Sequence, residues 1–555
     1  MDSLPFKRPT ASTLSSTEFD VVVIGGGITG AGVAQDAASR GLKVVLVERS
    51  DFASGTSSKS TKLIHGGLRY LANLQVLVTL ESVRERQLQQ KLAPHMVWSL
   101  PFVIPTYRGS RLKNLKTGFG LWLYDLMATG MGNSRFHRKA SREEVLALCP
   151  GVREEGLTGA YVYQDCRTDD ARHTLEVIKS ACEQGALAFN YARVVGLVRK
   201  QGRIVGVDIV DESPRPNGKP APRTPIRIRG KVVVNATGVW MQQVAELTGV
   251  KGMTEVVPAK GIHLTLSPSR LPIKSAMVIP SVHDKRFCFA IPWYDVIVIG
   301  TTDSEHNGEL DDVQVKEDEI RYLLDAVNAQ FPKANIHEQD VLATYAGLRP
   351  LIKEAGKTST ADLSRQHHLE ESAEGLVSIS GGKLTTYRRM AKSTIDLVVK
   401  RLKRLDNKRK FGACKTASLP LGGWQRGDDV AGCVRVYQQI GRELGLSEQT
   451  ACYLPTVYGL NVKDVLALVR EDRRNLGQKL CLEHPYIAAQ VVYAVRHEAA
   501  LNLDDVLARR LRLAITDRHA AVAVALKVAA LMGDELTWTQ EELSAQVVRF
   551  LKEWA

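Results

Sequence analysis

Residues 19–48 read FDVVVIGGGITGAGVAQDAASRGLKVVLVE, and this run decides the fold. Phe19 to Ile24 are apolar and β-branched, the composition of a short buried strand. From Gly25 the pattern turns helical and stops at Gly41, after which Lys43 to Glu48 repeats the strand composition. Strand, glycine turn, helix and strand in that order form a βαβ unit. Gly25, Gly27 and Gly30 set the spacing GxGxxG at its turn, and Glu48 ends the second strand close to the position where an acidic residue is needed. Such glycines permit a tight turn and close backbone approach to a pyrophosphate, the helix N-terminus offers free amides, and the acid binds a ribose hydroxyl. A dinucleotide site follows, with no choice yet between NAD and FAD.

Outward from this unit, Leu80 to Leu92 is helical and charged, and a proline-spaced stretch from Pro94 to Pro105 marks departure from the first nucleotide-binding half. Between Gly151 and Gly230 lie several strand-like runs, broken by SPRPNGKPAPRTP (213–225), which reads as an exposed hairpin tip. KVVVNATG (231–238) is a second buried strand entering a glycine turn. HLTLS (263–267), RFCFAIPW (286–293) and DVIVIGTTD (295–303) alternate, as strands of a mixed or antiparallel sheet do. The segment from Gly375 to Arg404 reads as strand, double-glycine turn and long helix. Beyond LPLGG (419–423) amphipathic helical patterns dominate, with Thr539 and Glu542 spaced as a capping box. These patterns predict a disordered tail over 1–18, an α/β region over 19–414 with an α+β portion, and a separate helical domain over 415–555.

At 555 residues, with 44% hydrophobic and 24% charged residues, the chain has the composition of a multidomain globular protein. Its most apolar segment, Ala520 to Met532, is short and interrupted by Lys527, so no membrane span is expected. The first eighteen residues lack the apolar core of a secretory signal. Eight cysteines are scattered without CxxC or Cys/His ligand spacing, which points to a reduced compartment and no structural metal. A net charge of +14 attracts anionic lipid, phosphorylated metabolites or nucleic acid without choosing among them.

The motifs make the choice. In order, IGGGITGAG, GTSSKSTKLIHGGLRYL (55–71), RTDDAR, VVNATGVW, AIPW, GTTD, YAGLRPL and GGKLTTYR resemble the FAD-dependent glycerol-3-phosphate dehydrogenases of aerobic glycerol metabolism, from about Phe19 to the C-terminus. The run from Ser57 to Leu71 is highly specific, whereas the glycine fingerprint and the ATG turn occur in many flavoproteins. The resemblance implies a glutathione-reductase-type FAD-binding Rossmann domain, an inserted mixed-sheet substrate domain and an all-α C-terminal cap. FAD-binding segments are then expected near 19–93, 151–260 and 340–405, interleaved with substrate-domain segments near 94–150 and 261–339.

By the same resemblance, Gly25, Gly27, Ile28, Gly30, Glu48, Ser57, Ser58, Lys62, Leu63, His65, Gly66, Gly67 and Gly238 contact FAD, and Gly382, Lys383, Leu384 and Thr385 close over the flavin. A turn before a helix places amides and a positive dipole where a reduced flavin develops charge. The implied reaction takes sn-glycerol 3-phosphate to dihydroxyacetone phosphate by hydride transfer from C2 to flavin N5. A phosphate dianion beside a reacting carbon calls for convergent cations, and Arg69, Arg349, Arg365 and Lys383 are the candidates. Thr385 and Tyr70 complete the expected substrate pocket. Loss of the hydroxyl proton needs a base, and His65, flanked by paired glycines and carrying an imidazole of ordinary pKa about 6.5, is the first choice, with His263 in KGIHLTL as its rival. Asp169 and Asp170 in RTDDAR are read as helix-cap residues rather than catalytic acids.

The family's acceptor is a membrane quinone, reached from the inner face of the cell membrane by a cytoplasmic, peripheral protein that adsorbs to anionic lipid; the oligomeric state is left open by the sequence, with a homodimer as one expectation. Three other readings compete. An oxidase would pass electrons to oxygen and make hydrogen peroxide. A basic nucleic-acid-binding or RNA-modifying flavoprotein would use the basic runs 401–410 and 509–512, but RNA-binding motifs are lacking and both runs read as solvated helix faces. An NAD-dependent dehydrogenase does not explain the second glycine turn at Gly381.

Overall fold

The computed structural model describes residues 8–68, 75–109, 111–129, 136–214, 224–247, 249, 254–353 and 367–555. The βαβ unit is in place: strand Glu18–Ile24, helix Ile28–Ser39 and strand Val44–Val47, with Val22 beside Val45 in parallel register. Strand Ile226–Asn235 pairs parallel on the other side of Glu18–Ile24, then Leu376–Gly381 parallel beside it, and Leu187–Phe189 closes the opposite edge. Continuous runs such as VVVI and VVLV suit these strands because helices cover one face and further chain the other, leaving neither face to water. Helix Tyr387–Leu405 packs on helix Ile28–Ser39, where a Cβ on Gly32 would stand 2.7 Å from the Tyr387 ring. That close approach returns the late part of the chain to the first glycine turn.

A second, mostly antiparallel sheet of ten strands is built from Val256–Leu266, Val341–Ile352, Val296–Gly300, Phe287–Trp293, Ala276–Pro280, Trp98–Tyr107, Leu157–Arg167 and three shorter strands. Leu157–Arg167, Val341–Ile352 and Leu63–Ile64 all fall in segments assigned to FAD binding, yet they hydrogen-bond into this second sheet. Alternation identifies a strand but not its partner, which is fixed by hydrogen bonds to distant chain. The stretch 94–105 likewise continues into strand Trp98–Tyr107 of this sheet. The strands Arg203–Asp211 and Ile226–Asn235 flanking the proline-rich break pair antiparallel, while the tip itself, 215–223, lies outside the described residues.

The expectation of a disordered tail is corrected for residues 8–18. Ala11–Ser16 is a helix capped by the Thr10 side chain; Leu14 is buried, and Arg8 pairs with Asp211 at 2.6 Å while lying over the Phe189 ring. A single apolar residue among serines and threonines carried too little sequence signal to reveal this docking.

Beyond residue 415 the chain is helical, from Val430–Glu443 to Gln540–Trp554, around its own apolar core, and the Thr539–Glu542 capping box forms. This domain is bound to the first by buried ions. Arg510, fully buried, donates to both oxygens of Asp51, with Arg509 on the same carboxylate, and Arg172 pairs with Glu498. The reading of 509–512 as a solvated face is therefore wrong: Arg509, Arg510 and Arg512 turn inward because buried carboxylates await them. Removing one partner of such a pair costs about 3–5 kcal/mol, since the other charge stays buried.

Candidate active site

The first wall of the site is the glycine turn at the carboxyl ends of the parallel strands, where ligands of open α/β sheets bind. The Gly25 N–H donates to the Val47 carbonyl, and a Cβ on Gly30 would collide with the Gly25 carbonyl, so the helix can start this close only with glycine there. Gly27 is the helix N-cap, and the Ile28 N–H just beyond it donates to Ser57 Oγ at 2.9 Å. Glu48 accepts the N–H groups of Gly26 (2.6 Å) and Ser50 (2.9 Å). Burial pushes its carboxyl above the usual range, and the two amides oppose that shift. Gly238, with φ +60° and open space where a Cβ would stand, begins the turn after Ile226–Asn235, and the Ala236 N–H donates to the Ile24 carbonyl. A helix N-terminus, a glycine-lined approach and an acid beside it fit a dinucleotide pyrophosphate and ribose.

From Thr56 to His65 a strap runs along one cleft whose walls also include Ile28, His263, Arg349 and Gly382 to Thr385. Thr56, Ser57, Lys59, Ser60, Thr61, Leu63 and His65 face it. The His65 N–H donates to Thr385 Oγ1 at 3.2 Å, and the Gly66 N–H is taken by Tyr124 and Asp165, each at 3.1 Å. Arg86 in turn binds Asp165. The turn bearing His65 is thus tied to both sheets, with Gly66 and Gly67 buried behind it rather than on the wall of the cleft.

The second sheet supplies Arg349 and His263. Arg349 Nη2 donates to Thr301 Oγ1 at 2.8 Å and the Thr302 carbonyl at 3.2 Å, and Nη1 lies 3.4 Å from Asp303. The GTTD segment is therefore the bracket that aims the guanidinium. His263 stacks on Tyr345 (ring centroids 4.7 Å apart, planes 12°), with Nε2 3.0 Å from Thr61 Oγ1. Burial, then Lys62 and Arg349, hold its pKa well below 6.5, so the ring is neutral.

The third wall is the double-glycine turn. Gly381 and Gly382 both have φ near +70°, a conformation costly for any residue with a Cβ, and the turn leads through Leu384–Thr386 into helix Tyr387–Leu405. Lys383 reaches across to Ser82 Oγ at 3.2 Å, on helix Val76–Leu92. Arg349, Lys383 and His65 thus meet at one cleft from three distant stretches of sequence.

Two residues expected to contact FAD turn their side chains away from this cleft. Lys62 does not line the cleft: it is 1% exposed, its backbone has φ +58°, and its ammonium lies 3.1 Å from Asp170 Oδ1 beneath the strap. Burial and Arg512 lower its pKa to about 8 against the pull of Asp170. The Ser58 hydroxyl likewise bonds back to the Gly55 carbonyl, away from the cleft. Asp169 caps helix Asp170–Glu183 as read, accepting from the Arg172 N–H. Arg69, Tyr70 and Arg365 lie outside the described residues. Lys59, in the same SSKS run, lines the cleft and was not singled out; only its place between Ser57 and Thr61 could have signalled it. Among the described residues no group of three His, Cys, Asp or Glu side chains is placed to hold a metal, and no helix is long and apolar enough to cross a membrane.

Comparison with known proteins places these features in a family. The model of the FAD dependent oxidoreductases matches residues 20–388, and that of the C-terminal domain of alpha-glycerophosphate oxidase matches residues 414–543. An aerobic glycerol-3-phosphate dehydrogenase of Staphylococcus aureus (strain MRSA252) is 37% identical over 509 residues, 91% of this chain and 89% of the relative. The solved structure of glycerol-3-phosphate dehydrogenase from Bacillus halodurans complexed with FAD matches with a TM-score of 0.78 at 31% identity, covering 98% of this chain and 95% of that one. L-alpha-glycerophosphate oxidase from Mycoplasma pneumoniae shares the fold, with a TM-score of 0.51 and 17% identity over 71% of this chain and 96% of that one.

Proposed function

The chain belongs to the FAD-dependent glycerol-3-phosphate dehydrogenase family, and from that premise we propose that it oxidises sn-glycerol 3-phosphate to dihydroxyacetone phosphate and passes the electrons to a membrane quinone. The observation that carries the substrate is the convergence of Arg349, Lys383 and His65 on a cleft that also has a dinucleotide-binding turn. FAD, when bound, supplies the acceptor for the hydride leaving C2. Arg349 and Lys383 hold the phosphate; the Thr301–Asp303 bracket keeps the guanidinium aimed without substrate, so little ordering is left to binding. His65 takes the C2 hydroxyl proton on its imidazole. Both histidines line the cleft, but the conjugate acid of His263 is disfavoured by burial and by two neighbouring cations, which supports His65, whose backbone is tied to Thr385. His263 instead fixes Thr61 on the strap.

The quinone and a bilayer-adsorbed, peripheral location on the cytoplasmic face are supported by a surface next to this cleft. Helix Arg111–Thr129 exposes Phe119 (67%), Trp122 (52%) and Leu126 (54%) on one stripe, with the first two rings stacked. It packs on helix Val76–Leu92, whose Val76 and Leu77 are exposed and whose Ser82 meets Lys383. These exposed apolar side chains stand on two packed helices, one of which meets Lys383 of the cleft through Ser82, and the +14 charge favours anionic headgroups.

The deciding experiment is anaerobic titration of the purified yellow protein with sn-glycerol 3-phosphate, followed by admission of a soluble quinone or of oxygen. Bleaching with fast quinone reoxidation is expected. Fast reoxidation by oxygen would make the protein an oxidase, and no bleaching with FAD retained would refute the substrate.

A further inference from the structure

The strap from Ser57 to Leu63 has a cleft side and an underside, and the underside is held by a residue of the C-terminal domain. Arg512, completely buried, donates through Nη2 to the Ser58 carbonyl and to Asp170 Oδ1, both at 2.7 Å, and through Nη1 to the Ala508 carbonyl at 3.0 Å. Asp170 spends its other oxygen on the strap, accepting the Ser60 N–H (2.9 Å) and Ser60 Oγ (2.7 Å). Lys62 adds its ammonium to the same Ser58 carbonyl at 3.2 Å and to Asp170. Two cations and one carboxylate therefore enclose a single stretch of backbone, with Asp169 3.4 Å from Arg512 Nε supplying the second negative charge.

Backbone conformation points the same way. Lys62 and Arg512 both occupy the left-handed region, at φ +58° and +70°. Non-glycine residues persist there only where their surroundings over-determine them. Here each supports the other through the Ser58 carbonyl they share. Arg509 and Arg510, at the end of the π-helical turn Asp505–Arg510 and just before Arg512, already grip Asp51, three residues after Glu48. The cofactor-facing segment between Asp51 and Lys62 is thus clamped near both ends by one short stretch of the C-terminal domain.

We infer that Arg512 is a positioning residue for the flavin site: its fork fixes the height of the Ser57–Thr61 strap against the cleft, making the C-terminal domain a structural part of cofactor binding rather than a separable cap. The fork matters because a planar guanidinium bonds two acceptors in fixed directions, whereas a lysine ammonium at the end of a flexible chain does not. The inference rests on the cleft being the flavin site, but flavin release needs no substrate, so it fails or survives independently of the proposed substrate.

The test is flavin release from the purified holoenzyme, followed by fluorescence, with the visible spectrum of the bound flavin recorded alongside. Arg512→Gln is expected to release flavin at least tenfold faster and to shift the visible band, with Arg512→Lys intermediate. Tyr493→Phe removes a hydroxyl that meets Lys179 at 3.2 Å across the same domain boundary but far from the strap, and should leave release within twofold and the spectrum unchanged. Equal acceleration by Tyr493→Phe and Arg512→Gln, or wild-type release and spectrum in both Arg512 variants, would overturn the inference. If Arg512→Gln cannot be purified, Arg512→Lys decides: faster amide exchange over residues 57–62 together with faster release supports the role, and wild-type values for both refute it.

Discussion

At the residue scale the two histidines separate by environment. Both line the cleft, but His65 is half-buried with its main chain bonded to Thr385, whereas His263 is 2% exposed, stacked on Tyr345, and kept neutral by burial, Lys62 and Arg349. General-base contributions are on the order of 10²–10⁴-fold in rate. Replacing His65 with Gln should therefore slow flavin reduction by substrate at least a hundredfold in stopped-flow measurements. His263→Gln, which can still bond Thr61, should slow it less than tenfold. A His65 variant that reduces its flavin at the wild-type rate would sink the base assignment. The sequence motifs led to both histidines, and to Arg349 and Lys383, because each stands in a run with a recognisable pattern. They could not reveal that Lys62, in the same run, turns under the strap, because side-chain direction there follows from a left-handed backbone and a carboxylate more than a hundred residues away.

At the element scale the C-terminal helices are held by charge as well as by apolar packing. His484 bridges Asp295, on the turn between strands Phe287–Trp293 and Val296–Gly300, and Asp517, the N-cap of helix Arg518–Leu536, at 2.5 and 3.2 Å. Burial works against its charged form, but the hydrogen bonds to both carboxylates outweigh it and raise its pKa to about 9. A folded pKa above the ordinary value near 6.5 means that the bridge contributes fully below about pH 6.5 and is lost as pH rises through 9. Thermal melts from pH 6 to 10 should show wild type more stable than His484→Gln at low pH, with the two converging above pH 9. A gap that does not change with pH would rule out the charged bridge. Helix existence here was legible from periodicity and from the Thr539 capping box. The inward turn of Arg509 to Arg512 was not, because a basic run reads as solvent-facing unless its buried carboxylate partners are known.

At the scale of the whole molecule, the stripe of Phe119, Trp122 and Leu126, on a helix packed against helix Val76–Leu92, is an exposed apolar face on a strongly basic protein. Vesicles containing anionic lipid should bind the protein at low salt, and binding should weaken as salt screens the charge. The double variant Phe119→Ser, Trp122→Ser should lose most of that binding while keeping its turnover with a soluble quinone. Undiminished vesicle binding by the double variant would place the contact surface elsewhere. What the sequence by itself determined is the set of local rules: the βαβ turn with its glycine spacing, the return of the chain at Gly381 and Gly382 and the helical C-terminal part, along with motifs whose residues His65, His263, Arg349 and Lys383 meet at one cleft. Those are legible because backbone sterics and short-range periodicity act over a few residues. Only the tertiary structure decided which sheet each strand joins, that residues 8–18 dock, and that Arg512 reaches from the last domain to the strap. Each of these depends on a hydrogen bond or ion pair between residues far apart in the chain, and burial makes such pairs strong without leaving a pattern in either local stretch of sequence.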